Sequence, residues 1–125
     1  MTSGSHPRFE SIHPLREDFL RDESRKIGDA DSISFPASEA DVCEIMAVAN
    51  ARHLPVTIQG GRTGITAGAV PKGGHVLNLS RMNRVTGLRF DPVSGRFFVS
   101  VQPGVVLADL RAAIAKRELQ ESVWF

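Results

Sequence analysis

A short β-branched run that leads directly into a glycine-rich loop constrains this chain more than any other feature. Val-Thr-Ile at positions 56–58 is followed by a loop over residues 60–74. Glycines let backbone N–H groups approach an anion closely, and consecutive N–H groups form an electropositive concave nest. Arg62 adds a permanent cation and Thr63 a hydroxyl donor. The pattern predicts a phosphate-binding loop, and a simple glycine-rich turn between two strands is the alternative.

The segments around this loop predict an α/β fold. A short strand is expected at residues 33–35, and a helix follows, with Ser38 as its N-cap and Pro55 just beyond its end. Residues 56–59 supply the next strand, so the order predicts a right-handed parallel βαβ unit with the loop at a strand's carboxyl end, where α/β sheets bind ligands. The core-facing stripe of the helix is predicted to be Val42, Ile45, Met46 and Ala49.

The rest of the chain adds a strand, a hairpin and two helices. Residues 76–79 predict a strand, and residues 85–90 and 96–102 predict a hairpin whose second arm has an apolar face of Phe97, Val99 and Val101. Residues 106–114 predict an amphipathic helix. Residues 15–26 are predicted to form a short helix that packs on the domain through Leu15, Phe19 and Leu20.

Composition and motif content exclude several functional classes. Lys and Arg number 15 against 14 Asp and Glu, so a net charge of +1 provides no field for nucleic acid. No run approaches the roughly 20 apolar residues of a membrane span, and no signal peptide is evident, so a cytoplasmic protein is expected. The scattered histidines predict no metal site, and Cys43 on the helix is predicted to be a small core residue. No G-x-S-x-G elbow supports hydrolysis.

The common dinucleotide motifs do not describe the glycine loop, because neither G-x-G-x-x-G nor the Walker pattern can be written on it. The loop instead resembles the pyrophosphate-binding loop of FAD-linked oxidases of the vanillyl-alcohol oxidase and p-cresol methylhydroxylase type. The similarity is strongest to the glycolate oxidase, D-lactate dehydrogenase and D-2-hydroxyglutarate dehydrogenase branch. Three other blocks resemble that family in the same order: Phe-Pro-Ala-Ser-Glu-Ala-Asp-Val at 35–42, His-Val-Leu-Asn-Leu-Ser-Arg-Met-Asn-Arg at 75–84, and Val-Gln-Pro-Gly-Val at 101–105.

This resemblance implies a p-cresol methylhydroxylase-type FAD-binding domain of the α/β (α+β) class. The expected division is an N-terminal extension at 1–30, a first FAD-binding subdomain at 31–84 and the start of a second at 85–125, with the remainder of the oxidase missing. Gln59 stands where the family often has arginine, and Ala67 replaces a glycine. The implied cofactor-binding residues are Gln59, Gly60, Gly61, Arg62, Thr63, Gly64, Ile65, Gly68 and Ala69.

The resemblance also implies the chemistry. Residues 60–64 would hold the FAD pyrophosphate, residues 65–69 would line the flavin, and none would be a catalytic acid or base. Arg62 stands where covalently flavinylated relatives carry histidine, so non-covalent FAD is expected. In complete relatives, hydride passes from a 2-hydroxy acid to the flavin.

The alternatives are a standalone non-enzymatic nucleotide or FAD binder, and a structural or interaction fragment that binds no cofactor. The expected partners are FAD and either the missing C-terminal portion of the oxidase or a second copy of the chain.

Overall fold

A computed structural model describes residues 9–119 of the chain. The chain divides into two compact units, Met1–Arg81 and Met82–Phe125. In the described part, the first unit contains a four-stranded sheet and the second contains a two-stranded sheet. The combination of a mostly parallel sheet with helices confirms the predicted fold class. The finer division at residues 30 and 84 stays a prediction.

The sheet of the first unit has the strand order β1-β2-β4-β3. Its strands are β1 (Glu10–Ser11), β2 (Ser32–Ser34), β3 (Val56–Gln59) and β4 (His75–Asn78). β1 is antiparallel to β2, whereas β4 pairs in parallel with both β2 and β3. The two strands of the predicted βαβ unit are therefore parallel, but β4 lies between them.

Helix α1 (Glu39–Ala51) connects β2 to β3 and begins as the sequence predicts. The Ser38 hydroxyl accepts a hydrogen bond from the Asp41 N–H at 3.2 Å, and the Asp41 carboxylate accepts one from the Ala37 N–H at 2.9 Å. These two bonds satisfy backbone donors that a helix start otherwise leaves unpaired. The helix ends at Ala51 with Arg52 as its C-cap, and the next residue, His53, adopts a left-handed φ of 53°.

The core of the first unit is built from α1 and both faces of the sheet. Its buried apolar residues are Ile33, Ile45, Ala49, Val76 and Leu77, and of these the neighbours Val76 and Leu77 point to opposite faces of β4. Only part of the predicted helix stripe is buried, because Met46 is 39% exposed. The prediction that Cys43 is a core residue is wrong, since its side chain is exposed. Cys43 lies two positions before Ile45, about 200° around the helix from the buried face.

The glycine-rich segment is the connection between two adjacent parallel strands, β3 and β4. Because both strands run in the same direction, the connection must travel from the carboxyl end of β3 back to the amino end of β4. Its returning part lies beside residues 29–31. Asp29 N–H donates to the Pro71 carbonyl at 3.1 Å, Gly73 N–H to the Asp29 carbonyl at 2.8 Å, and Asp31 N–H to the Gly74 carbonyl at 2.8 Å.

A 3₁₀ helix at Pro14–Leu20 replaces the predicted helix over residues 15–26. That prediction is wrong about its length, because the chain becomes extended at Arg21. It is also wrong about Leu15, which is 86% exposed. Phe19 does pack on the unit, with its ring edge-on to the Phe35 ring at a centroid distance of 5.2 Å.

The second unit contains a hairpin and a helix, as predicted. Strands β5 (Val85–Asp91) and β6 (Arg96–Val101) are antiparallel, and α2 (Leu107–Ala115) follows. The Asp91 carboxylate closes the turn by accepting hydrogen bonds from the Val93 and Ser94 N–H groups at 3.2 and 3.3 Å.

The hairpin of the second unit presents apolar side chains on both faces rather than on one. Phe97 is 64% exposed and its cross-strand partner Phe90 is 40% exposed, with their rings 4.9 Å apart. The next residue, Phe98, points to the opposite face of the hairpin and is also exposed. Exposed apolar surface of this kind favours association with another surface.

We expect the isolated chain to self-associate through this hairpin. Size-exclusion chromatography with light scattering should show a dimer or larger species, and Phe97→Lys should shift the population toward monomer by removing apolar area and adding charge. Val93→Lys, which changes the exposed turn, is the control and should leave the association unchanged. A monomeric wild-type chain would contradict this expectation.

No helix in residues 9–119 is long and apolar enough to span a membrane.

Candidate functional site: the glycine loop

The glycine loop presents a row of unpaired backbone donors. Among the described residues, none provides a hydrogen-bond acceptor for the N–H groups of residues 61–66. Arg62 has a φ of 58° and Ala67 a φ of 62°, both in the left-handed region. Left-handed residues within a right-handed or extended chain turn successive N–H groups toward one side and create an anion-binding concavity.

The loop also leaves space beside its backbone. A Cβ atom added to Gly64 or Gly68 would meet no atom within 4 Å, and one added to Gly61 would meet only the Thr63 methyl group at 3.8 Å. These glycines are therefore not required by packing within the described chain. Free N–H groups beside open space suit an anionic ligand that approaches the main chain closely.

The Gln59 side chain joins the start of the loop to Ala69. Its Nε2 donates hydrogen bonds to the carbonyl oxygens of Phe19 and Ala69, both at 2.7 Å. Its Oε1 accepts a hydrogen bond from Asn78 Nδ2 at 3.1 Å. Gln59 is only 1% exposed, and both of its amide donors are used within the protein. In this geometry its side chain holds the loop, whereas direct contact with a cofactor stays a prediction.

Asp22 supports the same end of the loop. The Asp22 carboxylate is buried, and its Oδ1 accepts a hydrogen bond from the Ser24 N–H at 2.9 Å. Hydrogen bonds from Ser24, and a weaker contribution from the backbone N–H of Ala69, hold the pKa of Asp22 below its usual value. Ala69 therefore has its carbonyl bound by Gln59 and its N–H facing Asp22.

Arg62 points away from the loop and toward the 3₁₀ helix. Its guanidinium donates to the Asp18 carbonyl oxygen and lies over the Phe19 ring, 4.5 Å from the centroid. Stacking on an aromatic face is favourable for a guanidinium, which is planar and weakly hydrated.

A polar cavity of about 420 Å³ lies between the loop and the segment that follows the 3₁₀ helix. Its ionisable side chains are balanced, three acidic and three basic, so the cavity has no net attraction for an anion. Its lining residues are Asp18, Arg21, Asp22, Glu23, Arg25, Ile27, Gly61 and Arg62.

The structure brings the predicted site residues together in two groups. Thr63, Gly64, Ile65 and Gly68 lie on the exposed part of the loop, whereas Gln59 lies buried at its base. Whether each of them contacts a cofactor stays a prediction. No group of three or more potential metal ligands is found in residues 9–119.

Sequence reasoning missed the residues that fasten the loop from outside it. These are Asp18, Phe19, Asp22 and Asn78. One of them, Asp22, has a local signal: its carboxylate accepts a hydrogen bond from the backbone N–H of Ser24, two residues later, as in an Asx-turn. The contact between Gln59 and Phe19 joins residues 40 apart, and no local pattern predicts it.

Comparison with known proteins identifies the family. Residues 30–123, well over half of the chain, match the family model described as an FAD binding domain. The chain belongs to the FAD binding domain family. FAD is the cofactor of this family, and the loop described above fits it, because unpaired N–H groups beside open space suit a pyrophosphate.

Relatives of this FAD binding domain include longer proteins that are named as a dehydrogenase and a transhydrogenase. The chain is 34% identical over 123 residues to a D-lactate dehydrogenase of Anaerostipes hadrus, covering 90% of the chain and 25% of the relative. It is 40% identical over 101 residues to a D-2-hydroxyglutarate–pyruvate transhydrogenase of Saccharomyces cerevisiae, covering 80% of the chain and 19% of the relative. The chain thus spans a quarter or less of the length of these relatives.

Solved structures show the same fold. The 6-hydroxy-D-nicotine oxidase of Arthrobacter nicotinovorans matches 93% of the chain and 25% of that protein, with a TM-score of 0.63 and 24% identity. Aclacinomycin oxidoreductase matches 88% of the chain and 22% of that protein, with a TM-score of 0.66 and 18% identity. The predicted resemblance to p-cresol methylhydroxylase-type FAD-linked oxidases is confirmed, and so is FAD as the expected cofactor, whereas its non-covalent attachment stays a prediction.

Proposed function

We propose that the chain is the FAD-binding N-terminal portion of a flavin-dependent oxidoreductase that acts on a 2-hydroxy acid such as glycolate or D-lactate. The loop would hold the FAD pyrophosphate on the backbone N–H groups of residues 60–64. The observation that carries this proposal is the row of unpaired N–H groups from 61 to 66, which faces no protein acceptor in the described chain. A nest of this kind is a general solution for binding phosphate through the main chain.

The division of work within the loop follows from the side chains. Thr63 is exposed and has a hydroxyl donor for a phosphate oxygen, while residues 65–69 would line the flavin. Gln59 and Asp22 would keep the loop closed at Ala69. FAD supplies the hydride-accepting chemistry when bound, and these residues supply binding and orientation.

The substrate class and compartment rest on the relatives. They include proteins named D-lactate dehydrogenase and D-2-hydroxyglutarate dehydrogenase, both of which act on 2-hydroxy acids. We propose a cytoplasmic location, and the mitochondrial location in the names of the rice and zebrafish relatives is the alternative. Fractionation of cells that express the full-length protein would distinguish the two.

We expect the isolated chain to bind FAD with a dissociation constant in the micromolar range or weaker, at most about 8 kcal/mol of binding free energy. A cofactor of this size is held tightly only when most of its surface is buried, and the chain covers a quarter of its relatives. Titration followed by flavin fluorescence measures the constant. No binding up to millimolar FAD would contradict the proposed role of the loop, and a nanomolar constant would contradict the expected weakness.

Substitution of Gly64 separates ligand binding from folding. Gly64→Val places its side chain in open space, so the free energy of unfolding should change by less than about 0.5 kcal/mol. The same side chain would occupy the position of the pyrophosphate, so FAD affinity should fall by about tenfold or more, a loss of about 1.4 kcal/mol. The control, Gly95→Ala, also faces open space but has a φ of 68°. It should cost about 1 kcal/mol of stability and leave FAD affinity unchanged.

A further inference from the structure

We propose that the 3₁₀ helix Pro14–Leu20 is the platform that holds the FAD loop in its anion-binding shape. The match to the FAD binding domain begins at residue 30, so this helix lies before it. The inference rests on the proposed function of the loop, and it assigns Phe19, Gln59 and Arg62 as positioning residues for it.

Two side chains from the start of the loop reach consecutive carbonyl groups of the 3₁₀ helix. Arg62 donates to the Asp18 carbonyl oxygen, and Gln59 Nε2 donates to the Phe19 carbonyl oxygen at 2.7 Å. The last residues of a helix have carbonyl groups with no partner inside the helix, and these two contacts use such acceptors. The Phe19 ring adds a third contact, since the Arg62 guanidinium lies 4.5 Å from its centroid.

The orientation of the Gln59 amide is fixed by its neighbours. Asn78 Nδ2 donates to Gln59 Oε1 at 3.1 Å, while Asn78 Oδ1 accepts from the Ser80 N–H at 3.0 Å. The Ser80 N–H can only donate, so Asn78 must present its NH₂ group to Gln59, and Gln59 must present its own NH₂ group to the two carbonyls. This chain of assignments leaves one arrangement, in which both Gln59 donors face Phe19 and Ala69.

The loop needs such anchors because it has few of its own. Between residues 61 and 66 the described backbone makes no donor hydrogen bond, and glycine-rich segments lose more conformational freedom on ordering than other sequences. The hydrogen bond between Gln59 and Ala69 closes the loop at its base, and the Arg62 side chain holds the backbone at residue 62 against Phe19. Without the 3₁₀ helix, Arg62 would lose its hydrogen bond to the Asp18 carbonyl and its contact with the Phe19 ring. Its left-handed φ of 58° would then cost free energy with no contact to offset it.

This arrangement gives Arg62 a role other than phosphate binding. Its guanidinium already contacts the Asp18 carbonyl and the Phe19 ring, so it holds the loop to the 3₁₀ helix. The main-chain N–H groups of the loop remain available for the pyrophosphate. The effect of an Arg62 substitution on FAD affinity would then depend on Phe19. Arg62→Ala and Phe19→Leu should each weaken FAD binding, and the double variant should be little weaker than Arg62→Ala alone, because Arg62→Ala already removes the contact that Phe19→Leu removes.

A matched pair of phenylalanine variants of the full 125-residue chain tests the inference. Phe19→Leu keeps an apolar side chain but removes the aromatic face below Arg62. Phe35→Leu makes the same change in the adjacent ring, which packs edge-on against Phe19 and faces Arg16 and Arg81 instead. Phe19→Leu should weaken FAD binding by about threefold to tenfold, whereas Phe35→Leu should change it by less than about twofold. Equal effects of the two variants would overturn the inference.

NMR spectra without FAD provide the second measurement. In the wild type, the side-chain NH₂ protons of Gln59 should exchange slowly with water, and the Arg62 side-chain protons should be shifted upfield by the Phe19 ring. Phe19→Leu should remove the Arg62 shift and move the backbone amide signals of residues 61–66 toward random-coil positions, and Phe35→Leu should not. Gln59→Leu, which removes both donors to the Phe19 and Ala69 carbonyl groups, should have the same effect on the loop.

The two measurements keep the inference separate from the proposed function. If the wild type binds no FAD but the spectra change as described, the pyrophosphate proposal is wrong and the platform is correct. If the wild type binds FAD and the Gln59 protons exchange freely, the loop is not held by the 3₁₀ helix and the platform is wrong.

Discussion

Gly74→Ala should lower the free energy of unfolding of this chain by about 3 kcal/mol or more, because it combines backbone strain with steric overlap. Gly74 has a φ of 71°, in the region that side chains disfavour. A Cβ atom there would lie 2.3 Å from the Pro55 carbonyl oxygen and 2.6 and 2.7 Å from two carbons of the Pro55 ring. None of these atoms belongs to a flexible side chain, so the backbone itself must move.

The position of Gly74 explains why such a movement would spread. Its carbonyl accepts hydrogen bonds from the N–H groups of Asp31 and Ser32, at 2.8 and 3.3 Å, and the next residue donates to the Pro55 carbonyl at 2.9 Å. Gly74 therefore lies where the returning end of the glycine loop meets the starts of β2 and β3. Displacing it would disturb the pairing of β4 with both neighbours.

The adjacent Gly73 is the matched control. It also has a positive φ, 84°, but an added Cβ would meet only the Asp29 carboxylate, at an ordinary 3.8 Å. Gly73→Ala should cost only the backbone strain, about 1 kcal/mol. Urea unfolding of the two variants beside the wild type measures the difference. Equal destabilisation would show that the contact with Pro55 relaxes without cost, and that strain alone matters at both positions.

Elements whose cause is local were predictable from the sequence. The start of α1 follows from Ser38 and Asp41, the strand at 56–59 from its β-branched residues, and the hairpin turn from Asp91 and Gly95. In each case the residues that form the element also contain the signal that marks it.

Features that depend on distant contacts were not predictable from one sequence. The insertion of β4 between β2 and β3 depends on the path of the loop connection, which leaves no periodic signal. The charged stretch after Pro14 resembles an amphipathic helix, yet its backbone is held by Gln59 and Arg62 from 40 and more residues away. The sequence predicts one apolar face on the hairpin, formed by Phe97, Val99 and Val101, whereas the exposed Phe98 makes the opposite face apolar as well.

His75 should make the stability of the chain depend strongly on pH. His75 is the first residue of β4 and is fully buried, with its ring stacked on Phe9 at a centroid distance of 4.1 Å. Its Nδ1 shares a hydrogen bond of 2.8 Å with the Ser32 hydroxyl, and its Nε2 is buried without a partner among the described residues. Burial lowers the pKa of His75 from 6.5 to about 4.

The sign of the effect follows from proton linkage. The unfolded chain takes up a proton at His75 near pH 6.5, whereas the folded chain does so only near pH 4. Folding therefore becomes less favourable as the pH falls through this window, and the loss is complete once the folded form is also protonated. A difference of about 2.5 pKa units corresponds to about 3 kcal/mol, and about 2 kcal/mol of this should be lost between about pH 7 and pH 5.

Comparison of urea unfolding at about pH 7, 6 and 5 in the wild type and in His75→Asn tests this expectation. Asparagine keeps a polar group near the Ser32 hydroxyl but loses the ring that stacks on Phe9, so the variant should be less stable than the wild type at neutral pH. Because asparagine does not titrate, the variant should lose much less stability on acidification than the wild type. Carboxylates with lowered pKa values, Asp22 and Asp91, also weaken folding in acid, but they act below about pH 4 and are common to both proteins.

Phe9→Ala provides the complementary test of the His75 site. It would open His75 to water, raise its pKa toward 6.5 and flatten the pH dependence while leaving the histidine in place. Parallel pH profiles for the wild type and His75→Asn would mean that His75 is protonated as easily in the folded chain as in the unfolded one, and that the stacked Phe9 ring does not exclude water from it.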